Sequence, residues 1–131
     1  MPWLFLDTHE MGRVRVGLLS ASGARIKEAE GRSIACLPLV EQVLGKKKAV
    51  LEGICVVQGP GSFSAVRTGV LDANLLARLW RLPLTGVDVA DAQDVEALAK
   101  RLAENGLKKQ AYVAPVYDAE PNITVPKPKV T

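Results

Sequence analysis

The order of apolar and polar positions along this chain predicts strands first and alternating helices and strands later. Trp3-Leu4-Phe5-Leu6 is an unbroken apolar run suited to a central strand, and Asp7-Thr8 ends it. Val14, Val16 and Leu18 then alternate with Arg13, Arg15 and Gly17, the period of a half-buried strand. Ser20-Ala21-Ser22-Gly23 makes a turn, and Ala24 to Glu30 can return as a third strand, although Glu28 and Glu30 are poor strand formers. Next the spacing changes to three and four, with Ile34, Leu37, Val40, Glu41 and Leu44 on one helix that Ser33 can cap. Pro38 falls inside it, so the helix either kinks there or begins there, and Gly45 with Lys46-Lys47-Lys48 stops it.

Gly53-Ile54-Cys55-Val56-Val57 reads as a fourth, buried strand that runs into the turn Gly59-Pro60-Gly61. Ser62 stands at the N-cap of a long helix ending near Trp80. Along that helix Ala65, Gly69, Ala73 and Ala77 recur every fourth residue, a smooth ridge that lets a neighbouring backbone come close. Val66, Val70, Leu76 and Trp80 flank the ridge, and Arg67, Asn74 and Arg78 make a polar stripe on the far side. Thr68, Leu71, Leu75 and Leu79 lie between stripe and core, so the helix carries more apolar surface than one sheet can cover. Such a surplus marks an association surface. Leu82 to Asp88 is a short strand, and Asp91 can cap a helix through Val95, Leu98, Ala99 and Leu102 to Gly106. Pro121, Pro126 and Pro128 predict a mobile tail.

Three antiparallel strands followed by alternating helix and strand is the order of a ribonuclease-H-like core of the actin-like kind. The expected fold is therefore α/β: a mixed five-stranded sheet, antiparallel over strands 1–3, with flanking helices. The expected organisation is a domain over residues 1–88, a residual helix and strand over 89–118 packed on it, and a proline-rich tail over 119–131.

The 131 residues suit about one domain with a real core, and 48% hydrophobic with 24% charged residues excludes a disordered chain. A net charge of +3 is only mildly basic, and Lys46-Lys47-Lys48 more simply ends a helix in water than grips nucleic acid. Cys36 and Cys55 form no CxxC pair; buried, reduced thiols suit a cytoplasmic protein, and no secretion leader or long apolar span suggests a membrane. His9 and Glu10 read as exposed turn residues, and a single histidine without partner ligands argues against a metal site. No histidine base, positioned cysteine or carboxylate pair is present, so no catalytic residue and no cofactor is expected.

Chemistry could gather at one junction. Gly59, Gly61 and Ser62 precede a helix N-terminus, where an anion can dock, and Asp7 and Thr8 could complete a phosphate site. Against this, no Lys-Ser or Lys-Thr follows the second glycine, and GxGxxG is not matched. The plainer reading is a sharp turn that lets a helix pack on its strand, with Asp7 capping the turn toward Gly12.

The stretch Gly59 to Val70, GPGSFSAVRTGV, resembles the GPGSFTGLRIGV signature of the TsaB (YeaZ) family. TsaB is the non-catalytic, actin-like subunit of the bacterial machinery that makes threonylcarbamoyladenosine on tRNA. Leu82 to Asp88 is similar to the family's Ile-Pro-Leu-Val-Gly-Val-Ser, and Tyr112 to Tyr117 resembles its closing Pro-Val-Tyr-Leu-Arg strand, with Asp118-Ala119 in place of the Leu-Arg. Leu6-Asp7-Thr8 is similar to its opening Leu-Asp-Thr-Ser, with His9 in place of the serine. The resemblance is strong over residues 53–87 and loose at both ends, and a second actin-like half is reduced to a stub. It implies a scaffold whose two helices pair with a TsaD-like catalytic subunit or with a second copy as a homodimer. A TsaE-like ATPase would be a further partner, and tRNA would be met at most indirectly. The implied partner face is Leu37, Val40, Glu41 and Leu44 on the first helix and Thr68, Leu71, Asp72 and Leu75 on the second. The family's Thr-Gly is Ser64-Ala65 here, and its small mid-helix residue is Leu75, which would push a partner helix outward. The other readings are a small phosphate- or nucleotide-binding enzyme using Asp7, Thr8 and the Gly59–Ser62 loop, and a self-pairing structural protein.

Overall fold

The computed structural model describes residues 2–31, 35–45 and 50–117. Strand β1 (Trp3–Asp7) lies at the centre of a five-stranded sheet of order β3-β2-β1-β4-β5. It pairs antiparallel with β2 (Arg13–Ser20), which pairs antiparallel with β3 (Gly23–Glu30). On its other side β1 runs parallel to β4 (Gly53–Gly59), and β4 runs parallel to β5 (Leu84–Asp88). The mixed sheet and its antiparallel first three strands are as the pattern predicts. The third strand forms in full despite its glutamates: it pairs with β2 along its whole length, and Glu28 lies 3.8 Å from the Arg13 guanidinium.

Both faces of the sheet are covered, which is why its central strands read as continuous apolar runs. Leu4, Leu6, Ile54 and Val56 point to the face covered by α1 (Cys36–Leu44) and α2 (Phe63–Trp80). Trp3, Phe5, Cys55 and Val57 point to the other face, covered by the short α3 (Val89–Ala92) and by α4 (Val95–Ala103) through Leu98, Ala99 and Leu102. The small-residue ridge of α2 is buried against the sheet, and its close approach has a cause at Gly69: a Cβ there would collide with Thr8 Oγ1.

Four local expectations are corrected. Pro38 neither kinks nor opens α1; it is the third residue, in the first turn, where its missing N–H has no intrahelical acceptor in any case. Ala35 holds the N-cap position, while Ser33, Ile34, the lysine run and the tail lie outside the described residues. Asp91 caps nothing: Asp88 caps α3 and Asp94 caps α4, each through its carboxylate, and Asp91 pairs with Arg101 instead. Residues 112–117 form no strand; the return segment from Gln110 to Tyr117 touches the body through isolated bridges, Leu84 with Gln110 and Gly61 with Tyr117. No described helix is long and apolar enough to cross a membrane.

Candidate functional site

The junction that dominates the sequence sits where β4 becomes α2. Gly59, with φ of +124°, occupies a backbone region closed to other residues, at an irregularity in the β4–β5 register. The bare Cα is needed twice over, since a Cβ would collide with the Val116 carbonyl. Val116 N–H donates to the Gln58 carbonyl at 2.7 Å, so the return segment lies directly over the turn. Ser62 is the N-cap residue of α2, but its hydroxyl makes no capping bond; its backbone N–H donates to the His9 carbonyl at 3.2 Å. One turn on, Thr8 Oγ1 donates to the Ala65 carbonyl at 2.6 Å. These contacts set Thr8 and the His9 backbone, next to Asp7 in the chain, against Gly61, Ser62 and the first turn of α2, while Gly59 meets Val116 instead. Val116 lies over Gly59 and His9 against Gly61, each occupying the room that a Cβ would take.

Asp7 does cap the start of the turn toward Gly12, its carboxylate accepting the His9 N–H two residues on. It is buried, and its carboxylate accepts four donors: Arg15 Nε and Nη2 on Oδ2 at 3.1 and 2.7 Å, and His9 N and Nδ1 on Oδ1 at 3.0 and 2.6 Å. Burial pushes its pKa upward, but the His9 and Arg15 donors outweigh that and hold it below the ordinary carboxylate value. With Asp7 ionised, the short contact fixes the His9 tautomer with its proton on Nδ1. His9 is thus a half-buried member of an ion-pair network and not a solvent turn residue. Arg15 extends the network to the Ala92 carbonyl of α3 at 3.3 Å. His9 and Arg15 escaped the sequence reading, although the antiparallel hairpin sets Arg15 opposite Asp7.

The helix surface is arranged differently from the sequence projection. Leu71 and Leu75, each 51% exposed, stand at the crown of α2, opposite its buried ridge, with Leu79 beside them. Arg67 and Arg78 are exposed on one flank, and Thr68 and Asp72, half-buried, on the flank toward α1. Asn74 is not part of a solvent stripe: its amide donates to the Val113 carbonyl at 2.9 Å and accepts from the Val113 N–H at 3.0 Å, clasping the return segment. On α1, Leu37 and Glu41 are exposed, whereas Val40 and Leu44 belong to the core. Where α1 meets α2, Asp72 accepts from the Cys36 thiol. Partial burial raises the Asp72 pKa against that bond, and burial pushes Cys36 up to about 12. Phe63 packs on Tyr117 with ring centroids 4.5 Å apart, and the Arg67 guanidinium lies over the Phe63 ring at 5.7 Å.

A mixed sheet of this order, helices on both faces and a glycine turn leading into the longest helix define an actin-like, ribonuclease-H-like α/β domain. A family model described as TsaD, tRNA N6-adenosine threonylcarbamoyltransferase, matches residues 29–122, and the chain belongs to that family. Among solved structures it is similar to YeaZ from Pseudomonas aeruginosa, with TM-score 0.59 and 25% identity over 67% of this chain and 45% of that one. A second structure shows the same fold: an uncharacterized protein from that organism with similarity to peptidase YEAZ, TM-score 0.60, 24% identity, covering 70% of this chain and 46% of that one. The chain is thus TsaB/YeaZ-like and spans less than half the length of these relatives. No curated protein matches it by sequence.

Proposed function

We propose that this chain is a TsaB-like, non-catalytic scaffold in the synthesis of threonylcarbamoyladenosine at A37 of tRNA, working in the cytoplasm. Its task is to hold a TsaD-like catalytic subunit through α1 and the crown of α2, with a TsaE-like ATPase joining the assembly and tRNA met indirectly. The observation that carries this reading is the row Leu71, Leu75 and Leu79, left uncovered on the helix that follows the family signature. Burying such a row against a second helix removes apolar surface from water at about 25 cal/mol per Å². The reading as a phosphate-binding enzyme has less support, because Asp7 already accepts four donors and the glycine turn is covered by Val116.

Size-exclusion chromatography with the TsaD of the same organism tests it. Co-elution as a stable complex, abolished by Leu75→Glu, is the expected result. Separate elution of the two proteins overturns the reading. A stable homodimer that ignores TsaD would favour a self-pairing protein instead, and tight magnesium-ATP binding by the chain alone would favour an enzyme.

A further inference from the structure

A second surface lies on the flank of α2 away from α1. A groove of about 560 Å³ opens there between the helix and the return segment, with Leu71, Leu75 and Leu82 as aliphatic walls and Tyr112 at its lip. Among the described residues Arg78 is the one charged side chain lining it, and no carboxylate does. Arg81 and Lys109, both exposed, adjoin the lining residues Leu82 and Gln110 in the chain. None of these three cations is ion-paired among the described residues. The nearest acid of the helix, Asp72, faces α1 instead.

An apolar trough with an unpaired arginine on its wall selects for ligands that are aliphatic and acidic together. Its length also fits. Leu71 and Leu75 are four helical residues apart, about 6 Å along the axis. Alternate side chains of an extended peptide are spaced by about 6.6 Å, so two of them can rest on this pair. Nucleic acid suits the trough less, because its walls are leucines and only Tyr112 offers a stacking face, whereas single strands are bound on successive aromatic platforms.

We propose that this groove binds an extended segment of a protein partner in which aliphatic side chains two residues apart are flanked by carboxylates. The groove shares Leu71 and Leu75 with the crown of α2 assigned to the TsaD-like subunit, so the peptide and that subunit exclude one another. The test needs no TsaD, so its failure and the failure of the scaffold reading are distinguishable.

The probe is a fluorescein-labelled nonapeptide of alternating leucine and glutamate, titrated with the full-length chain and read by fluorescence anisotropy. Binding on the order of tens of micromolar is expected, as for other small interfaces. Arg78→Glu and Tyr112→Ala should each weaken it by about tenfold, as hot-spot changes do. Arg25→Glu, on β3 away from the groove, should leave it unchanged. Both groove positions are exposed, so melting temperatures should match the wild type and exclude misfolding as the cause. Several results would overturn the proposal: no binding, equal binding of a leucine–lysine peptide, or indifference to Arg78→Glu. So would displacement of the peptide by oligouridylate, or a concentration-dependent homodimer lost on Arg78→Glu, since the groove would then serve RNA or a second copy.

Discussion

Asp7 shows most directly how one side chain changes meaning between sequence and structure. At the end of a first strand in this fold it invites a ligand role, yet here Arg15 and His9 consume its acceptor sites. Removing one partner from a buried pair costs about 3–5 kcal/mol, so Asp7→Asn should destabilise the chain by that order in urea unfolding. The sign with pH follows from its lowered pKa. The stabilisation is present at neutral pH, where the unfolded-state carboxylate is ionised too, and is lost as pH falls through the folded-state pKa. Stability of Asp7→Asn should therefore fall less steeply on acidification than that of the wild type, measured from pH 7 to pH 3. Asp72 acts with the opposite sign, its raised pKa marking a charge that the fold disfavours. Gly69 is held by geometry alone. Gly69→Ala should cost about 1–3 kcal/mol through overpacking, and Thr8→Ala in the same chain should recover part of it, a coupling a double-mutant cycle reads. Cys36, with its pKa pushed to about 12, should stay unlabelled by iodoacetamide near pH 8 until the chain unfolds.

Among the elements, those with the clearest period were legible and those held by polar contacts were not. The central strands and α2 follow from apolar runs and spacing, because burial on both sheet faces writes itself into composition. The helix face was read less well. A projection of α2 put Leu71 and Leu75 at the margin, but the sheet takes the alanine and glycine ridge, so the crown falls to the leucines. The return segment resembles a closing strand in sequence but forms no ladder: it joins the body by single backbone bonds at Gln110 and Val116 and by a side-chain clasp on Val113. Asn74 supplies both bonds that a neighbouring strand would make to Val113, and nothing local marks a helical asparagine for that task. Asn74→Ala leaves a buried N–H and carbonyl without partners, at about 1–3 kcal/mol. Hydrogen exchange at the Val113 amide should quicken in this variant while amides of β1 keep their protection.

Over the whole molecule, the leucines that the core leaves unused gather on one face of α2. The core is closed on both faces of the sheet, while Leu71, Leu75 and Leu79 contribute little to it. Leu71→Glu and Leu75→Glu should thus change unfolding free energy by no more than about 0.5 kcal/mol, as surface substitutions do. Analytical ultracentrifugation should nonetheless show the loss of whatever assembly the crown supports. A substitution that melts the monomer would mean that these leucines serve the fold and not a partner.

The way the chain rejoins its own sheet also has an evolutionary corollary. Chain leaves at Asp88, runs through α3 and α4, and comes back to Leu84 at Gln110, so the excursion starts and finishes on one edge strand. Its outermost bend, Glu104 to Gly106, is exposed and bonds only to the end of α4. Extra sequence spliced into that bend would leave the clasp and the sheet untouched, making it a natural port for grafting a second lobe.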